Sequence, residues 1–153
     1  MKFLIGNYEF EVDDGDRDLI LSKKWRAVVV KTKSRDYVYG RATTGNIFLH
    51  RLVMNCFDVN YEVDHIDGDG KNNKKENLRI CTTSQNQMNS RVREDNTSGH
   101  KNIHRSKSTG KWQVDIRIKK KKKYFGSFEN IEDAVIRRNE VLEKEFGEFK
   151  RVE

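Results

Sequence analysis

Asp64, His65, Asn77 and Asn86 are the residues of this sequence whose types and spacing could do chemistry together. Asp64 and His65 are adjacent in the run Val63-Asp64-His65-Ile66-Asp67-Gly68; Asn77 follows in Asn77-Leu78, and Asn86 in Ser84-Gln85-Asn86. A carboxylate and an amide oxygen are hard ligands that suit Mg²⁺, with the remaining positions left to water and phosphate oxygens. An imidazole, with an unperturbed pKa of about 6.5, can take a proton from water at neutral pH. Hydrolysis of a phosphodiester needs these two things: an activated water, and positive charge on the leaving oxygen and the crowded phosphorus.

The local pattern supplies elements that could hold these side chains. Tyr61–His65 reads as a short strand, Ile66–Glu76 as a loop dense in Asp, Gly, Asn and Lys, and Asn77–Cys81 as the return strand. Thr82 or Thr83 can cap a helix running to about Ser90. Asp64 and His65 then leave the strand on opposite faces, and Asn86, in the first turn of the helix, is expected to face the Asp64 carboxylate. The bland alternative is a calcium-like loop built from Asp64, Asp67 and Asp69 with Gly68 and Gly70, but no Glu closes an EF-hand register.

Upstream, Phe3–Val12 alternates as a half-buried hairpin, Asp13–Asp18 reads as an acidic loop, and Trp25–Thr32 and Tyr37–Thr43 are β-rich runs. In Ile47–Phe57 the period changes: Leu49, Leu52, Val53 and Cys56 recur at helical spacing. Arg91–Gly99 is polar and unpatterned, as a linker would be. Beyond it, Asn102–Ser106, Lys111–Lys119 and Lys123–Phe128 read as strands. Asn130 can cap a helix to about Phe146, stopped by Gly147, with Ile131, Ala134, Val135, Leu142 and Phe146 as its apolar stripe.

The chain has 153 residues, 36% of them charged and 35% hydrophobic, so its core is modest. No apolar run approaches the ~20 residues that cross a bilayer. The N-terminus turns acidic too soon for a signal peptide. A cytoplasmic protein, in a bacterial or phage-infected host cell, is the expectation. Cys56 and Cys81 lie in apolar contexts and read as buried free thiols. The net charge of +7 is concentrated: residues 98–128 hold ten Lys and Arg against one Asp. Such a block is the footprint of a polyanion partner, because each neutralised phosphate releases counterions. Within it, the Lys119–Lys123 run is expected to add mainly nonspecific affinity.

The stretch from Leu49-His50-Arg51-Leu52 through EVDHIDGD, NLRICT and SQNQMN resembles the HNH homing endonucleases of phages and introns. The lead-in DDGDRDLILSKKW and YVYGRAT is similar to theirs too, so the resemblance spans roughly residues 10–91. It implies a ββα-metal (His-Me finger) fold, with His65 as general base and Asp64 as a metal ligand. It also implies Asn77 as the middle Asn that ties the loop down and holds the base, and Asn86 as the final metal-binding position. That last position is His in many members, and the Asn form is similar to the nicking enzymes. His50 is expected to pack beside the site and stands outside the catalytic set.

Residues 98–149 resemble an AP2-type DNA-binding domain, through GKW, VDIRI, YFGSF and the Glu-Asp-Ala at the helix start. This implies a three-stranded sheet laid in the major groove with a helix behind it. By matching position the contacting residues are His104 or Arg105, Trp112, Arg117, Lys122 and Tyr124, with Arg117 the first choice for a base contact; Trp112 could equally pack against the helix.

The expectation is thus an α+β chain. A nuclease domain at 1–91, with its core motif at 49–90, is followed by a linker at 92–99 and an AP2-like domain at 98–149. The expected activity is metal-dependent DNA endonuclease action of the homing, nicking type, with Mg²⁺ or another divalent cation such as Mn²⁺. Double-stranded DNA is the expected partner of a monomer that needs no membrane or obligate protein partner. The alternative is a DNA-binding regulator with a degenerate HNH region, and a weaker one is an RNA-binding module.

Overall fold

The computed structural model describes residues 1–33, 35–90, 92, 95–119 and 121–149. Among them are nine strands and four α-helices, with short 3-10 turns, and every strand pairing is antiparallel. This is a mixed arrangement compatible with the α+β class. The chain divides into two compact units, Met1–Thr83 and Ser84–Glu153. The division falls ahead of the linker expected at 92–99, of which Arg93 and Glu94, like the preceding Arg91, lie outside the described residues.

In the first unit, β1 (Lys2–Ile5) and β2 (Tyr8–Glu11) form a hairpin. Its turn starts at Gly6, whose φ of 60° an L side chain rarely adopts. The stretch Asp13–Asp18, expected as a loop, instead forms a 3-10 turn at Asp14–Asp16 and the short helix α1 (Arg17–Leu21). Ile20 explains the difference: at 1% exposed it drives that segment into the core, and tertiary burial overrides the weak propensity of an Asp-rich run. Trp25 reinforces the placement by donating its indole N–H to the Ile20 carbonyl at 2.9 Å.

β3 (Trp25–Lys31) pairs with β4 (Asp36–Ala42), and α2 spans only Leu49–Val53, the middle of the longer helix expected there. The chain turns away at Asn55, whose φ is 50°. β5 (Glu62–His65) and β6 (Leu78–Cys81) form the hairpin that frames the acidic loop. Ile5, Phe10, Val12, Ile20, Val38, Leu49, Val53, Cys56, Val63 and Leu78 make one core beneath these pieces. Both cysteines are buried free thiols.

The second unit contains most of α3 (Thr83–Asn89), the sheet β7 (Ile103–Arg105), β8 (Trp112–Ile118), β9 (Lys121–Phe128), and α4 (Ile131–Phe146). The strand order is β7-β8-β9, with an irregularity between Gln113 and Asp115. Val114, Ile116 and Ile118 alternate inward against Ala134, Val141, Leu142 and Phe146 of α4. Glu132 and Asp133 in the first turn of α4 favour its positive end, and Gly147, at φ 51°, ends it with N–H bonds to Glu143 and Leu142. Asn130 occupies the cap position, but among the described residues its side chain makes no capping bond. No helix among the described residues is long and apolar enough to cross a membrane.

Candidate active site

The β5–β6 register sets Asp64 opposite Arg79 and His65 opposite Leu78. Successive strand residues point to opposite faces, so Asp64 and His65 enter different surroundings although adjacent in sequence. Both are buried, at 7% and 6% exposed.

His65 Nε2 lies 3.2 Å from Asn73 Oδ1. Asn73 is wholly buried, and its amide Nδ2 donates to the carbonyls of Gly70 and Lys71 at 3.2 and 3.0 Å. That pair of bonds decides which end of the amide is oxygen. Nε2 of His65 therefore carries the proton in the neutral ring, and Nδ1 carries the lone pair. The N-terminal hairpin anchors the arrangement, since the Asn73 backbone N–H donates to the Glu11 carbonyl at 2.7 Å and the Glu11 N–H to Lys71 at 2.9 Å.

Aromatic rings close in around His65. Tyr39 stands with its centroid 6.0 Å away, and His50 crosses edge-on at 5.1 Å. His50 in turn stacks on Phe48 at 5.4 Å. Burial, the His65 ring and the Arg51 charge together push the His50 pKa down to about 3. For His65, burial lowers the pKa; the Asn73 bond and the nearby carboxylates of Asp67, Asp64 and Asp69 oppose it without reversing it. Both imidazoles are thus neutral at neutral pH.

Asn77 closes the loop. Its Nδ2 donates to Asp67 Oδ1 at 3.0 Å and to the Asn72 carbonyl at 2.8 Å, and its Oδ1 accepts the Asp67 backbone N–H at 3.1 Å. Burial disfavours the Asp67 carboxylate, but the Asp69 N–H, Asn72 and Asn77 outweigh that and hold its pKa below the usual range. Gly70 permits the close packing of this loop on β4: a Cβ there would sit 2.5 Å from the Val38 carbonyl oxygen and 2.6 Å from the Tyr39 ring.

On the other face, Arg79 donates from Nε and Nη2 to Asp64 Oδ2 at 3.0 and 2.9 Å. Asn86 lies within α3, in the part counted with the second unit, and is half-buried. Asp64, His65 and Asn77 are therefore gathered on one hairpin, whereas Asn86 is carried by the other unit. Among the described residues no three His, Cys, Asp or Glu side chains cluster to hold a metal. A buried carboxylate on a strand is nonetheless the hard oxygen donor that Mg²⁺ or Mn²⁺ takes, and Mg²⁺ keeps several waters and uses one or two carboxylates with substrate phosphates. The donor chemistry fits.

In the second unit, strand alternation sorts the basic residues. Gln113, Asp115 and Arg117 leave β8 opposite to its core-facing Val114, Ile116 and Ile118. Through the register they share their face with His104, Lys122 and Tyr124, and Tyr124 is 59% exposed. Asp115 sits in its middle, 3.0 Å from Lys122 Nζ and 3.4 Å from His104 Nε2. Trp112 has the opposite parity: it packs half-buried on the core, paired with Arg105, whose guanidinium lies 5.7 Å from its ring.

Four residues beside the site escaped the sequence reading in whole or part. Asn73 is one of several Asn in the loop, with nothing to single it out. Arg79 is visible as the partner of Asp64 only once the register is known. Tyr39 arrives from a different hairpin, and His50, read as a packing neighbour, packs against the His65 ring itself.

The class of this architecture is given by comparison with known proteins. Residues 48–88 match the HNH endonuclease family, a span that contains Asp64, His65, Asn77 and Asn86. The chain is also 30% identical over 92 residues to Protein 3.8 of Escherichia phage T7, covering 59% of this chain and 76% of that protein. It belongs to the family of that phage protein and carries an HNH endonuclease domain at residues 48–88. No solved structure matches the chain.

Proposed function

We propose that this chain is a metal-dependent DNA endonuclease of the homing, nicking type, with His65 as general base. The observation that carries the reading is the buried His65 ring, held by Asn73 in the tautomer that leaves Nδ1 basic, one residue from the Asp64 carboxylate. His65 takes the proton of the attacking water at Nδ1. Asn73 keeps the ring in place, and Asn77 keeps the loop beneath it closed. Asp64 and Asn86 would hold Mg²⁺ or Mn²⁺, which when bound supplies the positive charge that the leaving oxygen needs. The arrangement is read as a ββα-metal fold, from the β5–β6 hairpin and the helix that follows it.

The second unit is read as an AP2-like DNA-binding domain. The outward face bearing His104, Arg117, Lys122 and Tyr124 supports it, because a basic, partly aromatic sheet face can enter a major groove. Arg105 and Trp112 sit at the rim of the opposite face, where they would reach a backbone rather than bases. Duplex DNA is the substrate, bound by a monomer.

The test is incubation of purified protein with supercoiled plasmid and Mg²⁺ or Mn²⁺. Relaxed circles should appear, and His65→Ala should lose ~10²–10⁴-fold in rate. Cutting that survives that substitution undiminished would sink the reading. A second reading, a DNA-binding regulator with a degenerate nuclease region, is favoured by one observation: Arg79 already supplies Asp64 with a cation. Gel shifts retained in EDTA, together with no cleavage under any divalent metal, would select it.

A further inference from the structure

Helix α3 (Thr83–Asn89) carries Asn86 but is only 7 residues long. Isolated helices shorter than ~12–15 residues are marginal in water, so its geometry has to come from its surroundings. At its start Thr83 Oγ1 donates to Glu62 Oε1 at 2.9 Å, and towards its end two contacts come from the second unit. Met88, 7% exposed, belongs to the core formed with Ile103, Val114, Ile116 and the α4 residues. The second contact is Lys101.

The last carbonyls of a helix have no partner within it. Lys101 Nζ lies 2.5 Å from the Gln87 carbonyl oxygen, 3.3 Å from that of Met88 and 2.9 Å from that of Ser90, and 2.8 Å from Ser90 Oγ. An ammonium has three donors and no acceptor, which suits a cluster of carbonyls, and its charge sits at the negative end of the helix dipole. The cation thus acts as a C-terminal cap reached from 14 residues away in sequence.

We propose that Lys101 is a positioning residue of the nuclease: its ammonium fixes the helix that presents Asn86. This rests on the endonuclease reading above. It follows that damage to the cap weakens metal use without weakening DNA binding. Arg105 and Lys122 lie outside the pocket that Lys101 shares with Gln87, Ser90 and Arg117, and they should do the reverse.

Full-length Lys101→Met and Lys101→Arg are compared with the unaltered chain. The readouts are amide exchange at residues 84–90, Mn²⁺ concentration for half-maximal nicking, and affinity for duplex DNA in EDTA. Lys101→Met should exchange faster at 84–90 and need about tenfold more Mn²⁺, the scale of a lost charge-assisted cap, with DNA affinity unchanged. Lys101→Arg should restore most of both effects. If Lys101→Met melts early, Ser90→Ala removes one cap acceptor and should show the same shifts in milder form. An unchanged Mn²⁺ requirement in a chain that cuts overturns this inference alone, whether or not exchange rises. A chain that never cuts overturns the endonuclease reading, and this inference with it.

Discussion

Arg79 faces Asp64 across the β5–β6 hairpin and donates to its carboxylate from both Nε and Nη2, at 3.0 and 2.9 Å. Both side chains are largely buried, at 13% and 8% exposed. Removing one partner of a buried pair strands the other charge, at a cost of ~3–5 kcal/mol. Arg79→Met should therefore lower the melting temperature, and Mn²⁺ should restore part of the loss by supplying Asp64 with another cation. The check is a thermal melt of both proteins with and without Mn²⁺; an equal Mn²⁺ effect on each would refute the idea.

Asn73 should matter to rate far more than its position in an Asn-rich loop suggests. Asn73→Ala removes the acceptor that orients His65, and a loss of roughly 10–100-fold in kcat is expected, the usual scale for a group that orients a reactive one. Single-turnover nicking with KM measured separately tests this. A loss confined to KM would contradict it.

Gly70→Ala is expected to destabilise by ~1–3 kcal/mol, because the added methyl meets a backbone carbonyl at 2.5 Å and an aromatic ring at 2.6 Å. Urea denaturation should show a lower midpoint with an unchanged slope. A neutral result would mean that the loop is free to lift off β4.

Acid should destabilise the first unit through His50. Its folded pKa is pushed down to about 3, whereas the unfolded chain protonates near the ordinary value. The stability is complete above about pH 6.5 and falls below it, by up to about 1.4 kcal/mol per pH unit for one proton, until the folded state also protonates. His50→Phe, which cannot take up that proton, should flatten the decline in denaturation curves between pH 4 and 6.5. An unaltered slope would show that His50 does not carry it.

Arg117→Ala is expected to weaken specific DNA binding by ~1–3 kcal/mol and to relax preference at one base position. Lys122→Ala should instead weaken all sequences alike and reduce the salt dependence. Titrations on specific and random duplexes at several salt concentrations separate the two. Equal effects on both duplexes would deny Arg117 a base contact.

Much of the architecture was legible because local rules and tertiary packing agree. The β5–β6 hairpin, α3, the final sheet and α4 lie within a few residues of where alternation, turn chemistry and helical spacing put them. The exceptions have two causes, burial of one side chain and a local backbone turn. Ile20 turns an acidic run into a helix by burying itself, and α2 is cut short where Asn55 takes a positive φ.

The sequence by itself determined the chemical identities: the basic strand residues, and Asp64 beside His65 with the loop-closing Asn77, which lie in the HNH endonuclease domain at residues 48–88. Tertiary structure decided what those groups meet. Only folding brings the Asn73 amide to His65, Arg79 to Asp64, Tyr39 and His50 against the His65 ring, and Lys101 to the end of the Asn86 helix. The physical reason is that each of these contacts depends on strand register or on packing between separate segments. A register slip of one residue would reverse every face, and no local pattern encodes it.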